Sequence, residues 1–104
     1  MKDNFVKNDE GKIRLELLEP EFIEGIGKII TYGANKYEDN NWKKADSEAD
    51  QLRIKGAALR HMYSYIKGEE FDLETGESHL YHVACNLMFL DYRDRRKSRR
   101  EPLV

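Results

Sequence analysis

Three segments of the chain carry apolar residues at helical spacing, and they predict most of its structure. Between Glu21 and about Tyr37, apolar side chains recur at i, i+3, i+4 and i+7, the spacing of one face of an amphipathic helix. Pro20 precedes this run and suits the first turn of a helix. The second segment, from Ala49 to Lys67, ends at Gly68, a typical helix terminator.

The third segment begins after Ser78, a plausible N-terminal cap, and continues to about Arg95. No period-two strand pattern of any length is present. The sequence therefore predicts an all-α fold in one domain spanning residues 1–104, with a flexible N-terminus over 1–12 and a basic tail over 96–104. Because a core of this size is marginal alone, a second subunit is expected to complete the helical bundle.

Net charge and cysteine content limit the binding partners and the cellular compartment that we expect for the chain. The net charge is −2, so the whole chain is not a polycation drawn to nucleic acid. No apolar run approaches the roughly 18 residues of a membrane span. The single cysteine, Cys85, rules out an internal disulfide and favours a reducing compartment. We therefore expect a cytoplasmic protein that binds neither membrane nor nucleic acid, and whose basic run from Arg93 to Arg100 suits a helix C-terminus.

The most informative chemistry lies on the third helix. His79, His82 and Asn86 fall within an arc of about 60° on one helical face, beside apolar positions. Such a polar stripe is costly next to a core, because buried imidazole and amide groups need partners. The stripe predicts either a ligand site or a closed hydrogen-bond network.

Two further features adjoin this stripe. His61 lies at the centre of the apolar face of the second helix, where a hydrogen-bonded core histidine is the commoner interpretation. An acidic turn precedes the third helix and contains Glu69, Glu70, Asp72 and Glu74. These carboxylates suit the positive end of the helix dipole. Alternatively, they bind a hard cation, with the histidines adding nitrogen ligands.

A second cluster lies between the first two helices. Lysine can bind phosphate as a point charge, and aromatic rings can stack on a base. The cluster is also compatible with a loop that merely covers the end of a small bundle. Its members are Lys36, Tyr37, Asn41 and Trp42.

An ordered set of motifs resembles a known family over about residues 7–92. The segments that carry the resemblance are Gly11–Arg14, Leu17–Glu21, Tyr32–Tyr37, Asn41–Trp42, Leu59–His61, Gly68–Gly76 and His79–His82 with Asn86. In this order they resemble the phage-borne dATP/dGTP diphosphohydrolases of the MazZ type, a MazG-like branch of the all-α nucleoside triphosphate pyrophosphohydrolases.

The resemblance implies a helical bundle that assembles as a homodimer or homotetramer. It also implies Mg²⁺- or Mn²⁺-dependent cleavage of a purine (deoxy)nucleoside triphosphate, with dATP or dGTP the expected substrate, to the monophosphate and pyrophosphate. The sequence departs from the wider superfamily in one respect. Histidines stand at 61, 79 and 82, where superfamily members carry metal-binding acids.

The resemblance and the residue chemistry together assign roles. Asp72, His79 and His82 are the expected metal ligands, and His61, Glu69 and Asn86 the expected catalytic residues. Lys36 is expected to meet phosphate, while Tyr37, Asn41 and Trp42 hold the nucleoside. An i, i+3 pair on the first helix, Glu21 and Glu24, offers an alternative source of metal ligands.

Two other functions remain open from the sequence. The first is a His/Asp-type metal phosphohydrolase that uses Asp91, although no adjacent His-Asp pair occurs in the chain. The second is a non-catalytic phage protein that binds a nucleotide or a partner. Its histidines would form a hydrogen-bond network that fixes the helix register.

Overall fold

Three α-helices form the fold in the computed structural model, which describes residues 4–100. Helix α1 spans Pro20–Lys36, α2 spans Glu48–Ile66 and α3 spans His79–Arg100. Short 3₁₀ turns occupy Leu15–Leu17 and Asn41–Lys44. The predicted all-α class is confirmed.

The helix ends follow local capping chemistry. Pro20 opens α1, and the Glu19 carboxylate accepts a hydrogen bond from the Phe22 backbone N–H at 2.8 Å. The Ser47 hydroxyl caps α2 by accepting from the Asp50 N–H at 3.0 Å. Each cap satisfies a backbone donor that the first turn of a helix leaves unpaired.

The third helix is longer than predicted. Residues 96–100, expected in a basic tail, belong to α3. The remainder of that predicted tail, 101–104, and residues 1–3 of the N-terminal segment lie outside the described residues. Arginine and lysine are good helix formers and suit the C-terminal end of the dipole. A run of basic residues therefore continues a helix as readily as it forms a tail.

Helix α3 packs against both other helices. It runs antiparallel to α2: His61 lies against His82 at one end of the pair, and the Glu48 carboxylate accepts from the Arg93 guanidinium at 2.7 Å at the other. On the α1 side, the buried Cys85 thiol donates to the Ile26 carbonyl at 3.4 Å. Burial raises the pKa of the Cys85 thiol to about 11, so the predicted packing role fits better than a nucleophilic one.

Gly25 permits the close approach of α1 and α3. A Cβ atom at this position would lie 2.4 Å from the Tyr81 ring, whereas one at Gly27 would meet nothing within 4 Å. The same glycine-to-alanine substitution can therefore be compared at a crowded position, Gly25, and at an open position, Gly27, of one helix.

We expect Gly25→Ala to lower the free energy of unfolding by about 1–2 kcal/mol. The overpacking cost of roughly 1–3 kcal/mol exceeds the gain in helix propensity of up to about 1 kcal/mol. Gly27→Ala should raise stability by about 0.5–1 kcal/mol, because only the propensity term operates. Urea denaturation of both variants measures this. Equal effects of the two substitutions would contradict the packing described.

The three helices bury little apolar surface in one copy. Among the described residues, the buried hydrophobic side chains are Ala58 and Cys85. The outer face of α2 carries an exposed apolar stripe formed by Leu52, Leu59, Tyr63 and Ile66. Within residues 4–100, no helix has the length and apolar character needed to cross a membrane.

Candidate metal centre and adjoining cavities

The turn between α2 and α3 is closed by backbone hydrogen bonds. The Asp72 N–H donates to the Glu77 carbonyl at 2.8 Å, and the His79 N–H donates to the Glu70 carbonyl at 3.0 Å. Gly76 has φ +74°, a left-handed conformation that glycine adopts without strain. This turn, defined as the acidic turn over 69–78, places Asp72 beside the first turn of α3.

The Asp72 carboxylate is held in a fixed orientation. One oxygen, Oδ2, accepts from the backbone N–H groups of Glu74 and Thr75 at 3.1 and 2.9 Å, and from the Thr75 hydroxyl at 3.2 Å. Burial alone would raise the pKa of Asp72. The hydrogen bonds from Thr75 and the nearby His82 outweigh it, so the pKa lies below its usual value. Asp72 is therefore an anion at neutral pH.

Thr75 connects this carboxylate to His82. The Thr75 Oγ1 lies 2.8 Å from His82 Nε2, and it also accepts from the Glu77 N–H at 3.2 Å. Because the hydroxyl has a single proton, donation to Asp72 requires that His82 Nε2 carry its own proton toward Thr75. The sequence analysis did not single out Thr75, although the spacing Asp72-x-x-Thr75 is a turn signal.

The three histidines of the chain meet at one place. The His61 and His82 rings stack with centroids 4.2 Å apart and planes 8° from parallel. His61 Nδ1 lies 2.9 Å from His79 Nδ1, so one of these two nitrogens is protonated and the other accepts. Within residues 4–100, the buried His79 Nε2 has no hydrogen-bond partner, and the Glu69 carboxylate lies 3.9 Å from it.

One group of side chains can converge on a single ion. Ligand atoms of His61, Asp72 and His82 all lie within 4.8 Å of one another. We call this group the His61/Asp72/His82 cluster. It contains two of the three predicted metal ligands, Asp72 and His82. His61, predicted as catalytic, takes the place expected for His79.

Burial keeps the cluster imidazoles neutral. It is the main cause that lowers the pKa of His61 and of His82, and the mutual repulsion of the histidines adds to it. Neutral imidazole is the form that binds metals.

These shifts predict that the metal-free protein loses stability in acid. Each histidine pKa lies below its ordinary value of 6.5. The unfolded chain therefore binds more protons than the folded chain as the pH falls through that value, so folding stability falls with it. Urea denaturation in EDTA at about pH 7.5 and about pH 5.5 measures this loss, and His82→Gln should reduce it. Stability that increases on acidification would contradict the assignment.

The predicted substrate residues divide between two places. Tyr37, Asn41 and Trp42 line one apolar cavity of about 190 Å³ between α1, the 41–44 turn and α3. Lys36 is not among its lining residues. The Lys36 ammonium instead lies 3.0 Å from the Glu74 carboxylate, which also accepts from the Tyr32 hydroxyl at 2.5 Å.

Trp42 has a packing role in addition. Its ring stacks on Phe89 at 4.7 Å and meets Tyr92 edge-on at 5.0 Å. Trp42 therefore packs against α3, as expected of a loop that covers the end of the bundle, and it also lines the apolar cavity.

A second, larger cavity runs along α2 and α3. This α2–α3 groove has a volume of about 490 Å³, and Trp42, Arg53, Arg60, Asn86 and Phe89 are among its lining residues. The Asn86 amide donates to the His82 carbonyl at 2.9 Å, so it lies one helical turn from the cluster. The two arginines were missed from sequence, because nothing in a single chain indicates which exposed cations share a cavity.

The alternative ligand sets gain no support from the geometry. Across residues 4–100, the one group of side chains that converges as a metal site is the His61/Asp72/His82 cluster, and it excludes Glu21 and Glu24. Asp91 is exposed and accepts from Arg95 at 2.7 Å. It lies about 13 Å along α3 from His82, too far to join the histidines.

The chain is similar in sequence to known proteins over most of its length. Residues 2–101 match the family described as dATP/dGTP diphosphohydrolase, N-terminal. A dATP/dGTP diphosphohydrolase of Salmonella phage PMBT28 is 35% identical over 85 residues, which cover 82% of this chain and 28% of the relative. The chain thus spans less than a third of that relative's length. No solved structure matches the chain. The chain belongs to the family of dATP/dGTP diphosphohydrolase N-terminal domains.

Proposed function

We propose that this chain hydrolyses purine deoxynucleoside triphosphates to the monophosphate and pyrophosphate, with a divalent cation at the His61/Asp72/His82 cluster. Family membership supports the substrate class, since the phage relative is named for dATP and dGTP. The single observation that carries the proposal is the convergence of two imidazoles and one carboxylate within 4.8 Å.

The donor set fits a divalent cation, and it favours Mn²⁺ over Mg²⁺. Mg²⁺ prefers oxygen ligands, whereas imidazole suits first-row transition ions. The Asp72 carboxylate supplies negative charge, and the Thr75 hydrogen bonds orient it. The buried, unpartnered His79 Nε2 behind the cluster is a further polar group that the helices leave unsatisfied.

Metal binding requires a small rearrangement of the two stacked rings. An imidazole binds a metal in its own ring plane, and the planes of His61 and His82 are parallel. One ion cannot lie in both planes, so one ring must turn about its side-chain bonds. The exposed side of the cluster permits this, because His61 is only partly buried.

The bound cation would activate water and shield charge on the phosphates. The protein groups around it have separate roles. Asp72 holds negative charge beside the two imidazoles, and Thr75 fixes which nitrogen of His82 carries its proton. We assign Asn86 to orient a ligand or water from one turn along α3. We assign Glu69, whose carboxylate lies 3.9 Å from His79 Nε2, a catalytic role beside His79.

The apolar cavity is proposed to hold the base. A volume of about 190 Å³ is below the roughly 300–1,000 Å³ typical of a site for a whole drug-sized ligand, so it suits one part of a nucleotide. Trp42 and Tyr37 supply aromatic surface, and Asn41 supplies the polar group that reads a base edge.

A second copy of the chain is proposed to cover the outer face of α2. Its apolar stripe is exposed in one copy, and burying it would add to a small core. Light scattering coupled to size-exclusion chromatography should report a dimer or tetramer, and Leu59→Glu should shift it toward the monomer. A wild-type monomer at all concentrations would contradict this part of the proposal.

The non-catalytic alternative also has an observation in its favour. The contacts His61–His79, His82–Thr75 and Thr75–Asp72 form a nearly closed hydrogen-bond network. Such a network can fix helix register without any ligand. It predicts no binding of divalent cations at micromolar concentrations.

The enzymatic proposal is tested by a substrate and metal panel. Purified protein is incubated with each deoxynucleoside triphosphate and with Mg²⁺, Mn²⁺ or Co²⁺, and the products are separated by ion chromatography. We expect pyrophosphate and monophosphate from dATP or dGTP, fastest with Mn²⁺ or Co²⁺. Orthophosphate or triphosphate as product would indicate the other class of phosphohydrolase. Inert protein with a native circular dichroism spectrum would refute hydrolysis.

A further inference from the structure

Two of the cations that line the α2–α3 groove have no partner among residues 4–100. Arg53 and Arg60 line it, and within residues 4–100 neither guanidinium has a hydrogen bond or ion pair. Lys44 also lines the groove, but its ammonium is paired with the Glu38 carboxylate. Arg53 and Arg60 are seven residues apart, so they share one face of α2 and lie about 10 Å apart along its axis.

The Arg60 guanidinium lies close to a glycine in the same helix. A Cβ atom at Gly56 would lie 3.1 Å from Arg60 Nη1, so the guanidinium folds back over the bare backbone one turn earlier. Glycine inside a helix is less favourable than alanine, and the absence of a side chain at Gly56 leaves room for the Arg60 guanidinium.

The groove begins beside the His61/Asp72/His82 cluster. Arg60 precedes His61 directly, and its charge contributes, after burial, His82 and His79, to the lowered pKa of His61. Because α2 and α3 are antiparallel, Arg53 lies two turns away from the cluster, at the level of Phe89. Trp42 lines both the groove and the apolar cavity, so the two spaces adjoin at this ring.

We propose that the α2–α3 groove is a polyphosphate-binding site in which Arg60 binds phosphate next to the cluster and Arg53 binds the phosphate chain two turns away. This inference rests on the proposed function, because it supplies the triphosphate subsite of the same reaction. Guanidinium binds phosphate through two parallel hydrogen bonds, and a volume of about 490 Å³ is in the range of a small-molecule site.

The single tryptophan of the chain provides the readout. Inorganic tripolyphosphate is titrated into the protein in EDTA, so that neither a metal nor a base contributes, and binding is followed by Trp42 fluorescence and by calorimetry. We expect Arg60→Gln and Arg53→Gln each to weaken binding about tenfold or more, because a hydrogen bond to a charged group contributes about 1.5–3 kcal/mol. The salt dependence should become shallower in both variants.

Two further variants separate the site from general charge and from folding. Arg95→Gln removes the same charge outside the groove and should bind like the wild type. Gly56→Ala keeps every charge and favours the helix, and the exposed Arg60 guanidinium needs to shift by only a few tenths of an ångström to admit the new Cβ atom, so this variant should bind tripolyphosphate like the wild type without lowering the melting temperature. Wild-type affinity in Arg53→Gln and Arg60→Gln, or an equal loss in Arg95→Gln, would overturn the proposal.

The design distinguishes this inference from the proposed function. Tripolyphosphate binding that requires both arginines, in a protein that hydrolyses no nucleotide, would refute hydrolysis and leave the groove assignment standing. Hydrolysis with unchanged KM in the Arg53→Gln, Arg60→Gln double variant would refute the groove assignment and leave the proposed function standing.

Discussion

Replacing Asp72 with asparagine is expected to lower kcat/KM for the preferred deoxynucleoside triphosphate by at least about 100-fold. Asparagine keeps the shape and can still accept the backbone N–H groups of Glu74 and Thr75. It removes the one carboxylate charge of the His61/Asp72/His82 cluster, and two neutral imidazoles alone compensate a divalent cation poorly. The fold should therefore persist while activity is lost.

The matched control for this substitution is Asp91→Asn. Asp91 is exposed on α3 and pairs with Arg95 one turn away, a contact that contributes less than about 0.5 kcal/mol. Steady-state kinetics on the three proteins, with circular dichroism to verify folding, measure the difference. Full activity in Asp72→Asn would show that the reaction does not use this cluster.

Divalent cations are expected to stabilise the protein against heat, and His61→Gln or His82→Gln should abolish most of this effect. A ligand at about 100 times its dissociation constant stabilises the folded state by about 2.7 kcal/mol. For a domain of this size, that raises the melting temperature by about 10–20 °C. Calorimetry with and without Mn²⁺ measures the shift.

His79→Gln discriminates between the two candidate ligand sets. His79 lies outside the converging group, although the sequence predicted it as a ligand. We expect this variant to be less stable than the wild type, because a mostly buried ring is changed, but to keep its Mn²⁺-dependent shift. Loss of the shift in His79→Gln, with retention in His61→Gln, would reverse the assignment.

Local signals were sufficient to predict the helices. Pro20 and the spacing of apolar residues located α1, and Gly68 marked the end of α2. The end of α3 was placed too early, because the apolar pattern fades before Arg95 while the helix continues through residues that simply favour helix. Helix boundaries are set by such weak preferences, and a single sequence constrains them poorly.

The sequence predicted the proximity of those site residues that are close together along the chain, but not the contact between α2 and α3. His79 and His82 are neighbours on one helix, and the acidic turn precedes them, so the sequence indicated their proximity. The stacking of His61 on His82 joins positions 21 residues apart through the register of α2 against α3. Register depends on side-chain packing between helices, which a single sequence does not reveal.

The most direct test of the central claim is pulsed electron paramagnetic resonance of the Mn²⁺-loaded protein. Binding of the ion by His61, Asp72 and His82 predicts hyperfine coupling to imidazole nitrogens. One of the two coupled nitrogens should be lost in His61→Gln and in His82→Gln, and both should remain in His79→Gln. Mn²⁺ that shows only oxygen and water ligands, or that does not bind to the folded protein, would contradict the account.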